Sequence, residues 1–112
     1  MKGAPEQPAS EVEYVAELSP GNRVRERFVK HKGNILEFIV QFEAWMEERW
    51  QPIVRYDTAH GFAHRDELRP DGTEMKTPLY FPSYNDALTF AEHDIRMNWK
   101  WCEERYRTWK KG

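Results

Sequence analysis

The chain has 112 residues and a net charge of −2, and 32% of its residues are charged. This length fits a single domain with its own core, and the near-neutral balance excludes a general electrostatic attraction to nucleic acid or membranes. The one cysteine excludes an intrachain disulfide and any multi-cysteine metal cage. No apolar run approaches the roughly 20 residues of a membrane-spanning helix, so we expect a cytoplasmic protein.

The N-terminal residues 1–21 are predicted to be a flexible tail, followed by a single domain at 22–112. The tail contains three prolines, mostly acidic charge and few apolar side chains. Such a segment buries too little apolar surface to offset the entropy lost on ordering.

Three segments after the tail alternate apolar and polar side chains, which predicts strands. The strongest alternation covers residues 35–46. Three-residue loops at 32–34 and 47–49 would pair Val24 with Phe42 and Val40 with Tyr56, so that one face of an antiparallel meander is apolar. The same register predicts two rows on the opposite face: Arg25, Gln41 and Arg55 in one, and Arg27, Ile39 and Asp57 in the next.

Two further elements complete the predicted fold. A short fourth strand at 77–82 contains two prolines, which confine it to a sheet edge. A long C-terminal helix begins after Ser83, a good N-cap. Its apolar stripe recurs at steps of three and four residues: Leu88, Ala91, Ile95, Trp99, Cys102, Tyr106 and Trp109. The fold class is therefore α+β, a three- to four-stranded antiparallel meander packed against one long C-terminal helix.

The most reactive segment spans residues 55–66, where two histidines, two aspartates and two arginines lie within twelve positions. Histidine exchanges protons near neutral pH, aspartate orients a histidine, and arginine stabilises a phosphorane. These side chains suit cleavage of RNA through its 2′-hydroxyl. The candidate catalytic residues are His60, His64, Asp57, Arg55 and Arg65.

Two other interpretations of this segment stay open. A loop-borne metal site would take His60, His64, Asp57 and Asp66 as ligands. In a purely structural interpretation, the aspartates cap turns and pair with neighbouring arginines, while the histidines fill half-buried loop positions.

A second group of candidates concerns nucleic-acid binding. Arg25, Arg27 and Gln41 lie on the predicted polar face, where they can contact phosphates. Trp101 lies off the apolar stripe of the helix, beside basic residues, and is available to stack on a base or to form a dimer contact.

The segment Val54 to Asp66, followed by Pro70, Asp71 and Gly72, resembles the YDxxHGxxHxD signature of a family of small uncharacterised prokaryotic proteins. More distantly, it resembles the toxin components of toxin–antitoxin pairs, in which an arginine- or tryptophan-plus-aspartate strand end precedes a histidine-bearing loop. The resemblance covers about residues 23–76 and implies a small α+β protein that acts on RNA. The long tryptophan-rich helix departs from those toxins.

The leading functional hypothesis is a small metal-independent ribonuclease of the toxin type, without a cofactor. The alternative is a non-catalytic interaction module that uses the tryptophan-rich helix or a sheet edge, and the weaker alternative is the metal-binding loop. The expected partners are RNA and a cognate protein or second copy of the chain, with no membrane.

Overall fold

The computed structural model describes residues 8–112. Residues 1–7, the first part of the predicted tail, lie outside the described residues. The elements in chain order are β1 (Ser10–Ser19), β2 (Asn22–His31), β3 (Asn34–Met46), β4 (Arg49–Asp57), a short 3-10 turn (Ala59–Gly61), β5 (His64–Leu68), β6 (Glu74–Pro78) and α1 (Tyr84–Lys111). All six strands form one antiparallel meander in sequence order. The predicted α+β class with an antiparallel sheet and a long C-terminal helix is confirmed, but the predicted count of three to four strands is wrong.

The first missing strand, β1, is formed by residues 10–19, which were predicted to be part of the tail. It pairs with β2 along nearly its whole length, and most of its side chains are exposed. Cross-strand charge pairs compensate for this small burial, since Glu11 lies 2.5 Å from Arg27. Backbone hydrogen bonds to β2 and cross-strand ion pairs hold this edge strand in place, so it needs few apolar side chains. Its composition therefore resembles that of a flexible tail.

The other difference lies after residue 60, where the structure has two short strands. β5 pairs with β4, and β6 pairs with β5 at the sheet edge. The strand β6 ends at Pro78 instead of spanning 77–82, and all its residues are exposed. Its position at an edge agrees with the proline argument.

The predicted register of the three central strands is confirmed. Val24 pairs with Phe42 and Val40 pairs with Tyr56. The turns, however, have two residues each and are followed by a β-bulge, which restores the same parity as a three-residue loop. Leu36 occupies the first of these bulges and is 50% exposed, although its position in the alternation predicted a core residue.

Helix α1 begins as predicted, because the Ser83 hydroxyl accepts a hydrogen bond from the backbone N–H of Asp86 at 3.1 Å. It runs along β3 in the same direction: Asn85 binds the β2–β3 turn at Gly33, and Lys110 pairs with Glu47 in the β3–β4 turn. Its 28 residues span about 42 Å, and the 13 residues of β3 span about 43 Å. The helix therefore covers the central strand from end to end.

The core lies between α1 and the apolar face of β2, β3 and β4. Most of the predicted stripe is buried, and Trp99 and Trp109 are half-buried. The core consists of the following side chains: Val24, Phe38, Val40, Phe42, Ala44, Met46, Ile53, Val54, Tyr56, Ala63, Ala87, Leu88, Ala91, Ile95, Cys102 and Tyr106. One helix does not cover six strands, so the helix side of the edge strand β6 stays exposed. No helix among the described residues is long and apolar enough to cross a membrane.

Candidate functional sites on the two sides of the sheet

The sheet face opposite α1 carries the predicted polar rows, and the later strands extend them. Arg25 pairs with Gln41, and Gln41 with Arg55. Beyond Arg55 the row continues through Asp66 to Lys76. The neighbouring row runs from Arg27 through Ile39 and Asp57 to His64. Asp57 and His64 are thus direct cross-strand neighbours.

The chain reverses between these two neighbours in a tight turn built by Asp57 itself. Its Oδ1 accepts a hydrogen bond from the backbone N–H of Ala59 at 2.9 Å, a local contact typical of aspartate at turns. His60 and Gly61 then adopt positive φ angles of 70° and 85°. This left-handed pair brings the chain back alongside β4 and delivers His64 opposite Asp57.

His64 lies at the centre of a buried polar network and is only 1% exposed. Its Nε2 atom lies 2.8 Å from Asp57 Oδ1 and 3.2 Å from the carbonyl oxygen of Ala59. Because both of these partners accept hydrogen bonds, Nε2 carries the proton that is donated to them. On the other side of the ring, Nδ1 lies 3.2 Å from Asp66 Oδ1 and 3.3 Å from Lys76 Nζ.

Lys76 supplies the positive charge of this network. Its ammonium group lies 2.8 Å from Asp66 Oδ1, and this hydrogen bond raises the pKa of Lys76. The same group donates to His64 Nδ1, so every polar atom of the imidazole ring has a partner. The buried Asp66 carboxylate is therefore paired with a cation of the same chain, as a buried charge requires, while Asp57 accepts the hydrogen bond of the imidazole.

The metal hypothesis can be compared with this geometry. Among the described residues, Asp57, His64 and Asp66 form one group whose ligand atoms lie within 4.8 Å of one another. His60, the fourth predicted ligand, is not part of it; its exposed ring stacks beside that of His64 with centroids 6.3 Å apart. The two carboxylates approach different ring nitrogens, and the Lys76 ammonium occupies the cation position next to Asp66.

The predicted catalytic residues are divided between the two faces of the sheet. Arg55 lies on the polar face with the histidines and donates to Gln41 at 2.8 Å. Arg65 follows His64 directly and therefore points to the opposite face, where it donates to the hydroxyl of Tyr56 at 3.1 Å. The predicted set is thus two groups and not one.

The predicted nucleic-acid residues are divided in the same way. Arg27 pairs with Glu11 and Glu37, and Arg25 lies 3.6 Å from Glu43. Gln41 donates to the same Glu43 at 2.5 Å. These cations on the polar face already have acidic partners, while Trp101 lies on the helix on the other side of the sheet.

On that other side, a cleft of about 580 Å³ lies between α1 and β5. We call it the α1–β5 cleft. Its lining combines charges of both signs with an exposed indole: Arg65, Glu67, Asp94, Asn98, Trp101, Cys102 and Arg105. Of these, Trp101 is 55% exposed, and the Arg105 guanidinium stacks on it 5.1 Å from the ring.

The hydroxyl of Tyr56 joins two residues that line this cleft. It donates to Asp94 and accepts from Arg65. Burial and the hydrogen bond to Asp94 raise its pKa, so the hydroxyl keeps its proton. Burial also raises the pKa of the Cys102 thiol, which lies 3.8 Å from Arg65 and is therefore a poor nucleophile.

Sequence reasoning missed most of the cleft, although the sequence contains a signal for it. Asp94, Asn98, Trp101 and Arg105 follow one another at steps of four, three and four, which places them on one flank of the helix. The signal is a second helical stripe, polar and aromatic, beside the apolar one. Lys76 was missed because it belongs to a short strand that the alternation does not reveal.

Fold and sites define a small α+β protein with a six-stranded antiparallel meander, one covering helix, a buried histidine–aspartate–lysine network and an open cleft. The chain belongs to the family described as Domain of unknown function (DUF7718), whose model matches residues 9–112. No curated protein and no solved structure matches it.

Proposed function

We propose that this protein is a non-catalytic binding module whose α1–β5 cleft takes an extended peptide segment of a protein partner. The main support is the lining of the cleft, in which an exposed indole lies among two cations and two carboxylates. Binding sites commonly combine apolar surface with a few convergent polar groups, and tryptophan and arginine are the residues that contribute most to protein interfaces.

The charges of the cleft favour a peptide over a nucleic-acid backbone. Arg65 lies 3.9 Å from Asp94, and Arg105 lies 3.5 Å from Glu67. These separations exceed ordinary hydrogen-bond lengths, so the guanidinium groups keep donors for a ligand. Two carboxylates beside them oppose a chain of phosphates, whereas a segment with charges of both signs complements all four groups.

The dimensions of the cleft suit a short extended segment. Asp94 and Arg105 are eleven residues apart on α1, which corresponds to about 16 Å along the helix axis. This distance accommodates about five residues of extended chain.

Apolar side chains continue the cleft at its rim. Phe90 lies one turn before Asp94 on α1, Met97 lies one turn before Trp101, and both are exposed. Met75 of β6 pairs with Glu67 and shares its face of the sheet. In addition, β6 is an open edge of the sheet, and its unpaired backbone groups can add a strand from a partner.

A randomised peptide display against the purified protein tests this proposal. We expect enrichment of a sequence motif by the wild type and its loss with Trp101→Ala. Trp45→Ala is the matched control, because Trp45 is 48% exposed but lies on the opposite face of the sheet. No enrichment, or equal enrichment by both variants, overturns the proposal. If the protein instead forms a dimer that is lost in Trp101→Ala, the ligand of the cleft is a second copy of the chain and not a peptide.

Cleavage of RNA is the second candidate, in the manner of a toxin of a toxin–antitoxin pair. The observation that favours it is the exposed ring of His60, which stacks beside the His64–Asp57 pair on a face that also carries Arg55. His60 would exchange protons with solvent and substrate, and His64 would hold it in place. Both candidate functions imply a protein located in the cytoplasm, and the single cysteine suits that reducing compartment.

Incubation of labelled single-stranded RNA with the protein between pH 5 and 9, with and without chelator, tests this candidate. Wild-type cleavage that survives the chelator and is lost in His60→Ala would establish it. His31→Ala is the control, since His31 lies in β2 away from the network. The absence of cleavage at every pH would exclude it and leave the binding module.

A further inference from the structure

We infer that Glu26 holds a proton in the folded chain and, facing Glu92, forms a proton-dependent latch that fastens α1 to β1 and β2. This latch lies on the flank of α1 that faces away from the α1–β5 cleft, and it does not depend on the proposed function. It links three elements, because Glu26 of β2, Glu92 of α1 and Tyr14 of β1 line the same small cavity.

Glu26 is a carboxyl group on the apolar face of the sheet, where Val24 and Phe28 are its neighbours along β2. It is 1% exposed. Glu92 and Tyr14 line the same small cavity as Glu26, whereas the Oε2 atom of Glu26 has no hydrogen-bond partner in the described part of the chain. A lone buried carboxylate in this setting would be costly, but a protonated carboxyl group is not.

The surroundings offer little compensation for a second negative charge. A cavity of about 30 Å³ beside Glu26 is lined by Tyr14, Ala16, Leu18, Val24, Glu26, Glu92, Ile95 and Arg96. The titratable or charged groups that face Glu26 are Glu92, Tyr14 and Arg96. Arg96 is the one cation among them, and it lies on the same helix as Glu92, so it offsets one carboxylate and not two.

Burial, together with Glu92, raises the pKa of Glu26 from 4.5 to about 8, and burial with Glu26 raises the pKa of Tyr14 to about 12. In the protonated state Glu26 donates a hydrogen bond to Glu92, as paired carboxyl groups do when only one is ionised. In the ionised state two like charges meet in a water-poor site, and the contact between helix and strand becomes repulsive.

The sign of the pH effect follows from linkage. Below about pH 4.5 both folded and unfolded chains hold the Glu26 proton, and its contribution to stability is complete. Between pH 4.5 and about 8 only the folded chain holds it, so the unfolding equilibrium constant rises by up to tenfold per pH unit. Above about pH 8 the contribution has been lost.

Urea unfolding of the full chain from pH 5 to 9.5 measures this contribution, with Glu26→Gln as the test variant. The neutral amide keeps the shape of the protonated carboxyl group but does not titrate. We therefore expect the free energy of unfolding of the variant to lack the pH-dependent contribution of Glu26. At pH 9 the variant should be at least as stable as the wild type. The inference is overturned if the free energy of unfolding of Glu26→Gln changes with pH in parallel with that of the wild type, or if the variant is less stable than the wild type at pH 9.

Glu43→Gln is the matched control, since Glu43 is equally buried on the neighbouring strand but lies 2.6 Å from Arg23. We expect this variant to be less stable than the wild type at pH 9, where Glu26→Gln is at least as stable as the wild type. If a variant fails to fold, carbon-13 NMR of the side-chain carboxyl groups in the wild type decides the matter. A resonance that titrates near pH 8 supports the latch, and complete titration of all glutamates below pH 6 refutes it.

Discussion

The hydroxyl of Tyr56 offers the sharpest test of how the sheet and the helix are joined at the α1–β5 cleft. Tyr56→Phe removes one oxygen atom and leaves the ring, which is buried against the core and lies 6.4 Å from the ring of Phe90. No cavity larger than the hydroxyl group is created. The change therefore isolates two hydrogen bonds, one donated to Asp94 and one accepted from Arg65.

Both partners of this hydroxyl are charged, and a hydrogen bond to a charged group contributes roughly 1.5–3 kcal/mol. The net loss is close to that of a single such bond, because Asp94 keeps a hydrogen bond from Asn98 at 2.7 Å, and because Asp94 and Arg65 are both partly open to water and regain hydrogen bonds there. We expect a loss of about 1.5–2 kcal/mol in the free energy of unfolding. For a chain of this length that corresponds to a fall in Tm of about 6–8 °C.

Thermal and urea unfolding of Tyr56→Phe measure this loss, and Tyr80→Phe is the control because Tyr80 is 90% exposed. The raised pKa of Tyr56 keeps its hydroxyl protonated, so the loss should be the same from pH 6 to 9. A double-mutant cycle with Asp94→Asn should show coupling between the two sites. A change below about 0.5 kcal/mol, the usual size of a surface substitution, would refute the claim that this hydroxyl joins helix and sheet.

Two further predictions concern stability and can be checked by urea unfolding. His64→Ala should lower the free energy of unfolding by about 2–4 kcal/mol, because it empties a buried site and leaves Asp57 and Asp66 without the imidazole. His60 is exposed, so His60→Ala should change that free energy by no more than about 0.5 kcal/mol. Equal effects of the two variants would contradict the central role of His64. Ser83→Ala should cost about 1 kcal/mol through loss of the N-cap, and hydrogen exchange should become faster in the first turn of α1 only. Uniformly faster exchange would show that the cap stabilises more than the helix start.

The register of the central strands could be predicted because side-chain alternation has a period of exactly two residues along a strand. Matching Val24 with Phe42 required only that the residue numbers of each pair have an even sum. A three-residue loop and a two-residue turn with a bulge satisfy that condition equally, so the hairpin type stayed undetermined. Positive φ angles at Lys32 and Gly33 belong to the two-residue turn, and Leu36 then leaves the core side of the sheet.

The strands β1 and β5 could not be predicted, and β6 was predicted at the sheet edge but with the wrong bounds, since none of the three shows a regular apolar face. Glu13 lies across from Arg27 of β2, and Glu11 forms an ion pair with the same Arg27. A cross-strand ion pair leaves no trace in the sequence of one strand alone. In β5 both faces are polar because one contributes to the histidine network and the other to the α1–β5 cleft. Edge strands and strands with functional side chains on both faces escape a criterion based on burial.

The division of residues 55–66 into two sites follows from the same alternation that revealed the sheet. Asp57 and His64 face the polar side, while Tyr56 and Arg65, their direct neighbours in the chain, face the helix side. Reactive side chains that are adjacent in a strand are therefore kept apart by the sheet itself. The two sites can be altered independently, so that loss of binding on Trp101→Ala and loss of stability on His64→Ala are separate observations with separate causes.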